Sequence, residues 1–126
     1  MKKLCTIVFL LLTVCGGSAM AQNSTVFPQF VSGQGWSTQI FVNNQGLSAV
    51  SGITVNFFDG SGNPLVVATN LGTSSSFSFG LNAGEIQPIQ VTNNSNTLVI
   101  GYVTIGYPAG YSSGYPPVHA SLVYNQ

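Results

Sequence analysis

Over residues 36–43 the chain repeats with a period of two. Trp36, Thr38, Ile40 and Val42 share one face and Ser37, Gln39 and Asn43 the other, with Phe41 the one apolar residue on the polar side. Successive side chains of an extended strand leave it on opposite sides, so this period predicts a half-buried antiparallel strand. The pattern recurs. Ile53, Val55 and Phe57 alternate with Thr54, Asn56 and Phe58; Phe77, Phe79 and Leu81 alternate with Ser76, Ser78 and Gly80; Val118, Ala120, Leu122 and Tyr124 close the chain. Shorter or weaker strands are predicted over 26–31, 65–68 and 85–92; because proline lacks a ladder donor, Pro28 places the first at a sheet edge or near a bulge and Pro88 points to an edge for the last. Between the strands lie turn clusters: Gly33-Gln34-Gly35, Asn44-Gln45-Gly46, Asp59-Gly60-Ser61-Gly62-Asn63-Pro64, Asn82-Ala83-Gly84 and Asn93-Asn94-Ser95-Asn96.

No window carries an apolar stripe at helical spacing. Seven or eight short strands with turn signals every 8–12 residues predict an all-β fold, a single antiparallel β-sandwich. The stretch 33–59 organises it, with the one tryptophan, two clear strands and the first dense turn. Residues 97–105 depart from the pattern, with Leu98, Ile100 and Tyr102 on one side and Val99, Val103 and Ile105 on the other. A strand apolar on both faces is central and covered twice, or turns its outer face to a partner.

The opening residues belong to a different physical problem. Met1-Lys2-Lys3 is a short positive segment, 4–14 an apolar run too short to span a bilayer comfortably, and Ala19-Met20-Ala21 an A-x-A cleavage site. Residues 1–21 therefore read as a signal peptide and 22–126 as the mature β-sandwich domain, with no membrane span. Lipidation at Cys15 is the rival processing route, although Val14 is bulkier than the small residue such a signal wants before its cysteine. The expected address is secreted or cell-surface, with the periplasm an alternative.

Beyond Ala21 there is no Lys, Arg or Cys, and the acidic and histidine side chains are Asp59, Glu85 and His119. A surface without cations releases no counterions from phosphates, which excludes nucleic acid and anionic membrane as partners. There is no disulfide framework, but about a hundred residues can bury an adequate core without one.

The order of Phe27-Pro28-Gln29-Phe30, Gly33-x-Gly35-Trp36-Ser37-Thr38, Phe41-Val42-Asn43, Phe57-Phe58-Asp59-x-x-Gly62-Asn63-Pro64-Leu65 and 118–124 resembles secreted immunoglobulin-like β-sandwich modules of environmental, Acidobacteria-like bacteria. The resemblance covers nearly all of 22–126 and implies the fold and a secreted address. It carries over no catalytic residue. The chain departs from it at Asn82-Ala83-Gly84, where such modules carry a proline, and in its tyrosine-rich segment.

That segment interleaves Gly101-Tyr102, Gly106-Tyr107, Gly110-Tyr111 and Gly114-Tyr115 with Pro108, Pro116 and Pro117. The first pair is expected in a strand and the other three in a loop before the last strand. Tyrosine offers a flat amphipathic face with a hydroxyl at its tip, so Tyr107, Tyr111 and Tyr115 are the candidate partner-binding residues, either packed against the end of the sandwich or presented to a protein or sugar. Catalytic chemistry has few parts to draw on. His119 would need Asp59 or Glu85 for a triad, those two carboxylates sit on turns of unrelated hairpins, and 59–70 puts Pro64 and Asn70 where a calcium loop needs glycine and glutamate. No enzyme, cofactor or metal site is expected. The function expected is a structural, adhesive or assembly role through a protein surface or self-association, with a small carbohydrate-binding module as the alternative.

Overall fold

The computed structural model describes residues 23–92, 96–108 and 116–126. They form nine strands and no helix: β1 (Asn23–Ser32), β2 (Ser37–Asn44), β3 (Val50–Asp59), β4 (Val67–Thr69), β5 (Gly72–Ser74), β6 (Ser76–Leu81), β7 (Ile86–Val91), β8 (Val99–Tyr107) and β9 (Val118–Asn125). Two antiparallel sheets pack face to face, one ordered β1-β8-β3-β6 and the other β5-β4-β7-β2-β9. The β-sandwich read from the alternation is the fold, with nine strands in place of seven or eight. The additional strand is β5, whose Gly72-Thr73-Ser74 has no apolar residue to mark it and which pairs with β4 through register alone. Among the described residues, no helix is long and apolar enough to cross a membrane.

The alternation sorts the side chains as its period requires. Thr38, Ile40 and Val42 on β2, Ile53, Val55 and Phe57 on β3, and Ile89 and Val91 on β7 are all at or near zero exposure in the space between the sheets. Edge-to-face aromatic contacts order the centre of that layer: Phe57 lies 5.4 Å from Phe30 and 6.1 Å from Phe77, with interplanar angles of 84° and 90°. Phe30 fits because Gly101 faces it across the β1–β8 ladder. A Cβ on Gly101 would overlap the Phe58 carbonyl and come within 2.6 Å of Phe30 Cε1. The first Gly-Tyr pair thus owes its glycine to packing.

The two-sided apolar strand is central, as its composition requires, with β8 lying between β1 and β3. Val103 and Ile105 face the core, while Ile100 stands 52% exposed on the outer face. Pro28 occupies the bulge of edge strand β1, between Phe27 and Phe30. Pro88 sits on an interior strand at a place that behaves as an edge, because β4 meets β7 only at Thr69 and Val91. Beside Pro88 the side chain of Asn70 stands in for a strand, donating from Nδ2 to Pro88 O at 3.0 Å and accepting from Gln90 N at 2.7 Å.

At the far end of β2 the buried Asn44 joins four segments. Its Nδ2 donates to Ser48 O (2.8 Å), Leu81 O (3.1 Å) and Asn82 O (3.1 Å), and its Oδ1 accepts from Gly46 N at 2.9 Å. Its backbone N–H donates to Glu85 O, its carbonyl accepts from Gly84 N, and the neighbouring Gln45 N donates to Pro117 O. The entrance to β3 and the β6–β7 turn are thereby pinned to one side chain, and the entrance to β9 to the backbone of the residue beside it.

Replacing Asn44 strands three carbonyls that it satisfies, so Asn44→Ala is expected to lower the unfolding free energy by about 3 kcal/mol in a denaturant titration. Asn44→Asp is expected to be worse near neutral pH, because its carboxylate faces the same carbonyls and its folded-state pKa must rise. The destabilisation then grows as pH rises through about 4 and recedes below it, where protonation restores a donor. Gly101→Ala is expected to cost about 2–3 kcal/mol by overpacking against Phe30 and the β3 backbone, read in the same titration.

Candidate functional site

The tyrosine segment divides. Tyr107 is not a loop residue: it ends β8, is 4% exposed and belongs to the core, and burial pushes its phenol above the ordinary value of 10.0. The strand runs two residues further than expected because Gly106 and Tyr107 keep pairing with Ser24 and Asn23 of β1. Tyr107 therefore offers no face to a partner. Tyr111 and Tyr115 lie outside the described residues.

The structure instead gathers a surface at the opposite end of β8, where the two sheets part. Gly33 and Trp36 exchange reciprocal backbone hydrogen bonds of 3.0 Å around Gln34 (φ 53°) and Gly35 (φ 85°). Two successive positive φ angles make a type I′ turn, the form whose twist suits a two-residue hairpin. Beyond it β1 and β2 part into different sheets, and the buried Thr38 hydroxyl holds the fork, accepting from Val31 N at 3.0 Å and donating to Val31 O at 2.7 Å. Across the same seam the Tyr124 hydroxyl, on β9, donates to Gln29 O at 2.8 Å.

This geometry leaves a groove of about 300 Å³ lined by Gln29, Val31, Trp36, Leu98, Ile100 and Tyr124. Leu98, Ile100 and Tyr124 are 38%, 52% and 45% exposed. Beside it on the outer face, Phe58 and Tyr102 stack at 5.0 Å and 17°, directly opposite each other across the β3–β8 ladder. No Asp, Glu or His lines the groove. It can bind through apolar area and the polar tips of Trp36, Tyr124 and Gln29. Trp36 closes the hairpin with its backbone and lines the groove with its side chain.

A second surface lies on the outer face of the five-stranded sheet, where Phe41, Asn43, Gln45, Ile86, His119 and Ser121 border a depression of about 420 Å³. His119 is exposed there opposite Asn43, facing away from Val118 and Ala120 as the alternation requires.

The carboxylates are far apart. Asp59 ends β3, whereas Glu85 lies beside Asn44 at the strand's beginning, its Oε2 accepting from Asn82 N at 2.7 Å. At about 3.3 Å per residue, the length of β3 separates them by roughly 30 Å, well beyond the roughly 5–10 Å of a glycosidase pair. Asp59 is occupied by its own turn: Oδ1 accepts from Ser61 N (2.8 Å) and Asn63 N (2.9 Å), and Oδ2 accepts from Asn63 Nδ2 (3.2 Å). Donors from Asn63, backbone first and then side chain, hold its pKa below the ordinary 3.8. Among the described residues, no three His, Cys, Asp or Glu side chains cluster as a metal site would require.

No family model, curated protein or solved structure matches this chain.

A carboxylate whose folded pKa is depressed stabilises the fold above its unfolded pKa and loses that contribution as pH falls through the folded value. Stability is therefore expected to decline as pH drops from about 3.8 into the lowered range of Asp59. In thermal unfolding followed from pH 5 to pH 2, Asp59→Asn should show a shallower acid slope than the parent; an unchanged slope would place the acid sensitivity elsewhere.

Proposed function

We propose that this chain is a secreted, non-catalytic module of the immunoglobulin-like kind, with a structural, adhesive or assembly role at the bacterial cell surface, and that the seam groove is its contact for protein partners. The observation that carries the reading is the groove in which the half-buried Trp36 meets the exposed Leu98, Ile100 and Tyr124, on a nearly uncharged domain. Contiguous exposed apolar area is rare on monomers, and interface energy concentrates on Trp and Tyr anchors ringed by aliphatic contacts. The hydroxyl of Tyr124 is tied to Gln29 O and Trp36 sits on a tight turn, so both anchors are partly ordered before a partner arrives. Pre-ordering lowers the entropy cost of association. Three features support a role without catalysis: the spread of Asp59 and Glu85 to opposite ends of β3, the exposed position of His119 on the other sheet, and the uncharged groove. The secreted address rests on the leader and A-x-A pattern of residues 1–21.

Carbohydrate binding is the second reading, and the Phe41 face favours it. One ring flanked by Asn43, Gln45, His119 and Ser121 combines a stacking surface with uncharged hydrogen-bonding groups, which is what a sugar ring requires.

The test uses beads carrying the chain from Gln22 onward, overlaid with intact cells of the producing organism. Retention is expected to fall roughly tenfold with Ile100→Ser or Trp36→Ala, and likewise after protease treatment of the cells. Ile100→Ser changes an exposed side chain and leaves the core intact, which separates lost binding from lost folding. Retention that survives protease and Ile100→Ser but disappears after periodate treatment and with Phe41→Ala would replace the protein reading with the carbohydrate one.

A further inference from the structure

β6 is a sheet edge that carries none of the usual guards. Exposed edges invite pairing with another chain, and folded proteins blunt them with proline, charge, bulges, short strands or side-chain cover. β1 carries Pro28 and a bulge, and its Gln29 carbonyl and both Val31 backbone groups are capped by Tyr124 and Thr38. β5 is three residues long, and β9 lies along the seam with its Tyr124 bound to β1. The exposed flank of β7 has Pro88 and the Asn70 amide. β6, Ser76-Phe77-Ser78-Phe79-Gly80-Leu81, has no proline or charge and pairs on one side only, with β3.

The ladder shows which groups point outward. Phe57 N donates to Ser75 O, and Phe57–Ser75 continues the register of Val55–Phe77 and Ile53–Phe79. Those are the hydrogen-bonded rungs, so the backbone groups of Ser76, Ser78 and Gly80 turn away from β3. The Ser76 N–H is taken by Ser74 Oγ at 3.2 Å, which leaves Ser76 O and the N–H and C=O of Ser78 and Gly80 aimed at open space. Phe77 and Phe79 remain only partly buried against the core.

We infer that β6 is a self-association edge, and that two copies of this chain pair their β6 strands antiparallel about a two-fold axis through Ser78. The sequence is self-complementary in that register. Ser78 and its symmetry mate exchange two hydrogen bonds, and each Gly80 N–H donates to the opposite Ser76 O, so Ser76 N–H keeps its bond to Ser74. Phe77 falls opposite the other copy's Phe79 on the core side, extending the aromatic layer across the junction, while only serine and glycine meet on the outer face. The two four-stranded sheets become one of eight. No like charges oppose each other, because β6 has none. Strand addition at β8 is ruled out by its central place between β1 and β3. The inference stands apart from the seam groove, which lies across the β1–β9 side of the sandwich.

The test is light scattering on the chain from Gln22 onward across a concentration series. A dimer is expected. Ser78→Lys puts two ammonium groups face to face across the two-fold axis and should weaken it at least roughly tenfold, as should Ser78→Glu. An equimolar mixture of S78K and S78E should restore association, since opposite charges then meet at the same rung. Both substitutions are on an exposed side chain, and Ser78→Pro, which deletes the outward donor, gives a second route to the monomer. Ile100→Ser should leave the dimer unchanged, so failure of the groove reading and failure of this one are told apart. A monomer at every concentration, a dimer indifferent to S78K, or a charge-swapped mixture that stays monomeric would each overturn the inference.

Discussion

Asn44 is the interaction on which the rest of the sandwich depends. Apolar contact between two sheets is strong but without direction, and would tolerate sliding of one sheet over the other. A buried side-chain amide has direction. Asn44 faces the core in the same alternating row as Thr38, Ile40 and Val42, and its Nδ2 and Oδ1 bind backbone groups from the β2–β3 loop and from the β6–β7 turn of the other sheet's edge. Thr38 does the equivalent work six residues earlier, binding both backbone groups of Val31 where β1 leaves for the opposite sheet. One strand thus carries an apolar middle and a polar pin at each end, and the pins fix the register in which the aliphatic residues pack.

The seam groove follows from the fork that Thr38 holds. Because the first two strands join different sheets immediately after a two-residue turn, the outer face of β8 meets β1 and the end of β9 at an angle. Trp36, Ile100 and Tyr124 then cannot bury one another fully. The domain does without the charged groups that usually keep strand edges apart, and side chains take their place: Thr38, Asn70 and Tyr124 each bind edge backbone as a neighbouring strand would. Where this substitution stops, at β6, the edge stays open.

Much of the fold was legible from local pattern. The period of two placed the core faces of β2, β3, β6, β7 and β9, the prolines marked a bulge and a strand flank, and the double-sided composition of residues 97–105 put β8 at a sheet centre with an exposed outer row. β5 was not legible, because its three small residues carry no apolar alternation. The length of β8 was not either: glycine and tyrosine next to proline look like loop chemistry, and only the ladder to Asn23 and Ser24 keeps Tyr107 in a strand. The groove was not legible as a site: the candidates read from the sequence were Tyr107, Tyr111 and Tyr115, and Trp36 was placed on the face it shares with Thr38, Ile40 and Val42. The two-sided pattern of residues 97–105 left an outer apolar row open to a partner, but nothing local joins Gln29 to Tyr124.

The sequence by itself determined the class of fold, the faces of the strands and the near absence of charge. Each of these depends on residue type and on spacings of two to ten residues. Only the tertiary structure decided that Tyr107 is buried, that Asp59 and Glu85 lie at opposite ends of β3, and that residues from both ends of the chain make one groove. Those outcomes depend on strand order and register, which are set by hydrogen bonds between segments far apart in sequence. Asn44 to Leu81 spans 37 residues and Tyr124 to Gln29 spans 95. No periodicity in a single strand records which neighbour it will find.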